Sequence, residues 1–141
     1  MQIFVSDMGY VHVTAMKIVS EFSKALKLFA KEVGVPESII ADSHKCNKSK
    51  EVKLFCHKIG TTVRILEVYK QWANRAEIYV RIFKESLRKD MLDENSLLVF
   101  WDYCDERRAL IKNMTENYMF QLRVQTPHYA TFGEEVDISN I

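Results

Sequence analysis

The chain has 141 residues, of which 48% are hydrophobic and 11% aromatic, so it can bury the core of one domain and is not intrinsically disordered. The net charge is only +1, but residues 1–91 hold sixteen Lys and Arg against ten Asp and Glu, whereas residues 92–141 hold four against nine. The excess of basic residues in the first part of the chain favours contact with a polyanion. No apolar run is long enough to span a membrane.

The cysteines indicate the cellular setting. Cys46, Cys56 and Cys104 leave one thiol over, and the chain does not open with a charged segment followed by an apolar one. Both features favour a reduced, intracellular protein. The pairs His44/Cys46 and Cys56/His57 fit no standard zinc-finger spacing, so we favour core thiols and surface histidines over a zinc site.

The first elements in chain order are a hairpin and a helix. Residues 2–7 and 10–16 are rich in β-branched and aromatic side chains and flank a Met-Gly pair, which predicts two strands and a tight turn. A helix is predicted from Ser20 to Gly34. Its core face holds Phe22, Leu26, Phe29 and Val33. Its other face carries Lys24, Lys27 and Lys31.

Strands then alternate with helices. The apolar run at residues 38–41 predicts a short buried strand ending at Asp42, and residues 61–66 predict another strand. The helix predicted between them, at about 48–59, has an inward face of Val52, Phe55, Cys56 and Ile59. This alternation favours a largely parallel sheet, in which ligands gather at the carboxyl ends of the strands. Asp42 is therefore a candidate site residue.

The stretch 71–91 has a strong helical pattern. Apolar side chains at steps of four and three form one stripe: Ala76, Val80, Phe83, Leu87 and Met91. One position later, Glu77 precedes three cations at the same steps, Arg81, Lys84 and Arg88, which we call the basic ridge. This pattern fits a solvated, salt-bridged helix face, because Glu77 and Arg81 are four residues apart, and it also fits a surface for a phosphate backbone.

Two further helices are predicted near the end of the chain. One runs from Ser96 towards Met114, and a short one follows Thr126-Pro127. The longer helix places on one side Leu97, Trp101, Cys104, Arg108 and Ile111.

The order of these elements, together with six short motifs, resembles the catalytic core of integrases, and more narrowly the integrase of copia-type retrotransposons. The motifs are FVSDMGYVHVTAMK, SEFSKALKLFAKEVG, IIADSHKCNKSKEVKLFCHKIG, QWANRAEIYVRIFKESLRKDM, FWDYC with a later NM, and TPHYATFG with a later DIS. Their joint order is more specific than any one of them. The resemblance implies a partial catalytic core at residues 1–116 and a C-terminal extension of that core at residues 117–141.

The resemblance implies an α/β, RNase H-like fold, a mixed sheet with flanking helices in the strand order 3-2-1-4-5. It also implies DNA integration by 3′-processing and strand transfer with two divalent metal ions, Mg²⁺ or Mn²⁺. Asp42 corresponds to the second carboxylate of the D-D-E triad and Glu77 to the third, and both would be catalytic metal ligands. The residues implied for nucleic-acid binding are Lys45, Lys48, Asn74, Arg81, Lys84 and Arg88. Homo-oligomers through integrase-like contacts are also implied.

One departure from the family changes the expected activity. The first catalytic Asp of the family lies on a strand that would precede the hairpin, and Asp7 corresponds to a different family position. With that first strand missing, we expect the hairpin and the strands at 38–41 and 61–66 to form separate two-stranded pieces. Metal binding should be weak and the chain inactive in strand transfer. The alternatives are a non-catalytic remnant that binds nucleic acid and an intracellular interaction domain.

Overall fold

The protein is described by a computed structural model covering residues 1–43, 48–66, 75–93, 95, 97–115 and 125–135. The strands are β1 (Gln2–Val5), β2 (Val11–Thr14), β3 (Ser38–Ala41) and β4 (Thr62–Ile65). The helices are α1 (Phe22–Glu32), α2 (Lys50–Ile59), α3 (Arg75–Asp93), α4 (Trp101–Met114) and α5 (Pro127–Phe132). This mixed α/β order confirms the predicted sequence of elements, although α1 begins after a short 3-10 turn at Val19–Glu21. No helix in the described ranges is long and apolar enough to cross a membrane.

The strands form two separate pairs, β1 with β2 and β3 with β4. β3 and β4 run parallel, in a register that pairs Ser38 with Thr62 and Ala41 with Ile65. α2 lies between them in the chain, so this part is a strand–helix–strand crossover. Within the described ranges no further strand joins either pair. The expected two-stranded pieces and the parallel pairing are therefore confirmed.

The chain divides into two compact units that interleave along the sequence. The first comprises Met1–Gln2 and Thr14–Ile82, and the second comprises Ile3–Val13 and Phe83–Ile141. α1, β3, α2 and β4 belong to the first unit, whereas α4, α5 and most of the hairpin belong to the second. The boundary expected at residue 116 stays a prediction, because residues 116–124 lie outside the described ranges.

In the first unit, the helices form as their sequences predict. α1 buries Phe22, Leu26 and Phe29 on one face. α2 begins where the Ser49 hydroxyl accepts a hydrogen bond from the Val52 amide. It ends at Gly60, whose φ of 75° is accessible to glycine and lets its N–H reach the carbonyls of the last turn.

The prediction that β3 is a buried strand is wrong at Ile40. The Ile40 side chain is 49% exposed, Ile39 is half-buried and Ala41 is buried. β4 shows the same alternation, with exposed Thr62 and Arg64 between half-buried side chains. Alternating burial means that only one face of this two-stranded sheet is covered. An apolar run such as SIIA does not reveal that difference.

In the second unit, the hairpin turns through Gly9, which has a φ of 78°. The Ser6 N–H donates to the Tyr10 carbonyl at 2.9 Å, and the Gly9 N–H donates to the Ser6 carbonyl at 3.0 Å. This confirms the tight turn predicted from the Met-Gly pair. Ile3 and Phe4 of β1 are buried.

The buried side of α4 is not the one that carries its large apolar residues. Asp105, Ala109 and Asn113 are buried, whereas Leu97, just before the helix, is 67% exposed and Ile111 is 46% exposed. Ala109 is small, and both ends of the Asn113 side-chain amide form hydrogen bonds with Val11 of the hairpin. Arg108 forms an ion pair with Asp90 of α3, and both guanidinium nitrogens in the pair reach the carboxylate.

α5 confirms the short helix predicted after Thr126-Pro127. The Thr126 hydroxyl accepts a hydrogen bond from the Tyr129 amide at 3.2 Å, and Gly133 ends the helix with a φ of 75°. α5 packs against α4. Its His128 and Phe132 rings stack 4.8 Å apart, and Phe132 meets the Tyr10 ring edge-on at 5.2 Å.

Candidate nucleic-acid and metal site

Asp42 lies where the sequence places it, at the carboxyl end of a parallel strand. It follows Ala41, the last residue of β3, and its side chain is half-buried. At this end of the sheet the Leu66 N–H donates to the Ala41 carbonyl at 2.8 Å, so the pairing of β3 and β4 continues up to Asp42. Asp42 is therefore attached directly to the end of a paired strand.

Glu77 is the third residue of α3, and its side chain is exposed. The inward stripe of the helix is confirmed, since Phe83 and Met91 are buried and Ala76, Val80 and Leu87 are half-buried. Tyr79, which the predicted stripe did not include, is buried as well. Asp42 and Glu77 belong to the same unit. The expected convergence of their carboxylates stays a prediction.

The basic ridge faces solvent. Arg81, Lys84 and Arg88 are all exposed, and seven residues of helix separate the first from the last by about 10 Å. Lys48, just before α2, is exposed too. Lys45 and Asn74, the other residues predicted to bind nucleic acid, lie outside the described residues. An exposed row of cations can follow a phosphate backbone without reading base sequence.

The solvent side of α3 is not wholly polar. Ile78 and Ile82, one turn apart, are 46% and 45% exposed. Neither residue belongs to the predicted apolar stripe, although their spacing of four residues indicates a second, smaller one.

The carboxylates of Asp42 and Glu77 have the right chemistry for a divalent cation, because Mg²⁺ prefers hard oxygen ligands. Their number is small. Among the described residues, no group of three or more His, Cys, Asp or Glu is placed to hold a metal ion. The donors fit the metal in kind, but this part of the chain does not provide a complete set of ligands.

Sequence reasoning missed a polar cluster between α1 and α2. Glu51 Oε1 accepts hydrogen bonds from Ser23 Oγ at 2.5 Å and from Lys27 Nζ at 2.9 Å. The hydrogen bonds from Lys27 and then from Ser23 lower the pKa of the Glu51 carboxyl below its ordinary value. Lys27 also lies 5.9 Å from the centre of the Phe55 ring. No local pattern predicts contacts between residues more than twenty positions apart.

The cysteine of α2 has the environment of a core thiol. Cys56 is buried, and burial raises the pKa of its thiol. His57 is exposed on the outer side of the same helix. These positions agree with the interpretation favoured from the sequence, a buried thiol beside a surface histidine.

Solved structures indicate the fold of this chain. No protein-family model and no curated protein matches it. Among solved structures, a chain of the simian T-cell lymphotropic virus intasome in complex with PP2A regulatory subunit B56 gamma matches with a TM-score of 0.70 at 17% identity. That match covers 96% of this chain, which spans only about half (49%) of the matched one. The HTLV-2 integrase catalytic core domain, in complex with magnesium and in a trimeric form, matches with a TM-score of 0.67 at 23% identity, covering 88% of this chain and 78% of that one. The protein therefore has the fold of an integrase catalytic core.

Proposed function

We propose that this chain is an integrase-core domain of the copia type that binds DNA, and that its ancestral reaction is DNA integration. The observation that carries the proposal is the combination of a carboxylate at the carboxyl end of β3 with an exposed row of cations on α3. The carboxylate suits phosphoryl-transfer chemistry, and the row of cations suits DNA, the polyanionic substrate of that chemistry.

The solved structures of similar fold support this proposal. One is part of an intasome, and the other is an integrase core in complex with magnesium. Fold alone does not establish function, so the proposed function depends on the residues of this chain. Asp42 and Glu77 are the carboxylates that match the family motif, and the basic ridge begins four residues after Glu77.

The chemistry explains these residue types. Attack on a phosphodiester builds negative charge on the phosphate, which divalent cations stabilise when they are bound. In this proposal Asp42 and Glu77 hold such a cation, while the basic ridge neutralises neighbouring phosphates. Because two carboxylates make an incomplete site, we propose that the chain on its own does not catalyse strand transfer. Measurable transfer of a pre-processed DNA end by the 141-residue chain would refute that part of the proposal.

DNA binding is expected to depend steeply on salt and little on base sequence. Each phosphate contact contributes about 0.9 to the slope of log affinity against log salt concentration. Lys84→Gln should therefore lower that slope by about 0.9 and weaken binding to different duplexes equally. Fluorescence anisotropy with two unrelated duplexes at several salt concentrations measures both effects.

Lys89→Gln is the matched control, since Lys89 is also exposed on α3 but lies about 100° around the helix from Arg88. It should leave the slope unchanged. Equal slopes for the wild type, Lys84→Gln and Lys89→Gln would remove the basic ridge from the interface, and the ridge would then be an ordinary solvated helix face.

Divalent cations are expected to bind weakly, at millimolar concentrations, because few protein ligands are available. Asp42→Asn should reduce that binding at least several-fold, since it removes one of two charged ligands. Titration with Mn²⁺, followed by electron paramagnetic resonance, measures the free cation directly. Asp7→Asn, on the exposed turn of the hairpin, is the control that should bind as the wild type does. If both variants bind Mn²⁺ equally well, Asp42 is not a ligand.

A further inference from the structure

A second cationic surface lies on α1 and α2, on different helices from the basic ridge. Three exposed lysines of α1 are spaced by three and four residues, so they form one row, and the exposed Lys58 lies two turns after Glu51 on the same side of α2. We call these four the α1–α2 lysine surface: Lys24, Lys27, Lys31 and Lys58. The α1 row is about 10 Å long, which matches about three phosphates along one DNA strand.

Glu51 joins the two helices that carry these lysines. Its carboxylate, in the first turn of α2, accepts hydrogen bonds from Ser23 and Lys27 of α1. Ser23 is only 5% exposed, so this contact is anchored on the packed side of α1. Glu51 thereby ties the row on α1 to the side of α2 that carries Lys58.

Glu51 also reduces the charge that this surface presents. It forms an ion pair with Lys27 at 2.9 Å, and the charge of Lys24 acts on it too. Both partners are largely exposed, with relative side-chain exposures of 48% for Lys27 and 62% for Glu51. An exposed pair of this kind contributes little to folding. The larger effect of the pair is electrostatic, because one lysine of the four is neutralised while the pair is intact.

We propose that the α1–α2 lysine surface binds the phosphate backbone of duplex DNA, and that Glu51 weakens this binding by pairing with Lys27. The inference deepens the proposed function and rests on it, since DNA is the polyanion that function requires. A membrane surface is the weaker fit, because each helix exposes one large aliphatic residue among these lysines, Leu28 or Leu54, and a membrane-binding helix buries a whole apolar face.

The test uses the whole chain and a duplex of arbitrary sequence, with affinity measured by anisotropy from low to high salt. Lys24→Gln and Lys31→Gln should each lower the salt slope by about 0.9. Glu51→Gln should raise the slope by about the same amount, since it frees Lys27, and should tighten binding roughly eightfold at 0.1 M salt. A gain in affinity is the opposite of what loss of the folded surface would cause, which makes this variant the decisive one. Lys89→Gln again serves as the control.

The outcomes separate this surface from the basic ridge. If Lys84→Gln lowers the slope while Lys24→Gln, Lys31→Gln and Glu51→Gln do not change it, this inference is wrong and the basic ridge remains the DNA-binding surface. If the α1–α2 variants change the slope and Lys84→Gln does not, the basic ridge does not contact DNA and the α1–α2 lysine surface does. Absence of DNA binding by the wild type would overturn both. Displacement of the DNA by vesicles containing anionic lipid, with the same ranking of the variants, would identify a membrane surface and overturn the inference.

Discussion

Replacing Asp105 with Asn is expected to raise the free energy of unfolding at pH 7 by about 3 kcal/mol. The Asp105 side chain is 1% exposed, and neither carboxylate oxygen has a hydrogen-bond partner among the described residues. Burial raises the pKa of this carboxyl to about 6, since the charged form loses its hydration. At neutral pH the folded protein must therefore bear a buried charge that accepts no hydrogen bond from the described residues. An Asn side chain has nearly the same shape and carries no charge.

The raised pKa of Asp105 determines how the stability of the wild type changes with pH. Between about pH 4 and pH 6 the folded state keeps a proton on Asp105 that the unfolded state has released, so the stability of the wild type falls as the pH rises through this range. Asp105→Asn should lose less stability over the same range. Urea denaturation at pH 4, 5, 6 and 7 measures the difference between the two proteins, which should be small at pH 4 and largest at pH 7.

Glu106→Gln is the control, because Glu106 neighbours Asp105 on α4 but is exposed. It should change stability little at any pH. If Asp105→Asn stabilises the protein equally at pH 4 and pH 7, ionisation of Asp105 is not the cause, and better packing of the Asn side chain is.

Hydrophobic periodicity predicted the elements whose burial depends on a single apolar face. α1 buries Phe22, Leu26 and Phe29 as expected, and α3 buries Phe83 and Met91. Such patterns work because the helix period fixes which side chains share a face, whatever the face packs against. The location of Asp42 was predictable for a similar reason, since strands that alternate with helices run parallel and end at one edge.

The predictions of burial failed where burial depends on which elements pack against a residue. Ile40 is exposed because only one face of the β3–β4 pair is covered, which the run SIIA cannot show. On α4 the buried residues are Asp105, Ala109 and Asn113. A pattern search gives polar residues to solvent, and it cannot foresee that Asn113 finds backbone partners about a hundred positions away.

The candidate surfaces show the same limit of local patterns. The basic ridge follows from helix spacing alone, so its exposure could be predicted from Arg81, Lys84 and Arg88. The row of lysines on α1 also follows from helix spacing. What could not be predicted is the contact of Glu51 with Lys27, because these residues are 24 positions apart in the chain.

Asn113→Ala is expected to lower the free energy of unfolding by about 2–5 kcal/mol, because it leaves two buried backbone groups without partners. Asn113 Oδ1 accepts from the Val11 N–H at 2.7 Å, and Nδ2 donates to the Val11 carbonyl at 2.8 Å, so its amide takes the place of a neighbouring strand. Asn113 is 4% exposed and Val11 1%, which means that water cannot replace these bonds without opening the structure. Asn113→Asp should also destabilise at neutral pH, since it sets a carboxylate oxygen against the Val11 carbonyl, whereas Glu106→Ala on the exposed side should change the free energy of unfolding by only a few tenths of a kcal/mol. Urea denaturation measures the loss, and hydrogen exchange of the Val11 amide locates it. Unchanged protection of that amide in Asn113→Ala would show that the strand is held by other contacts.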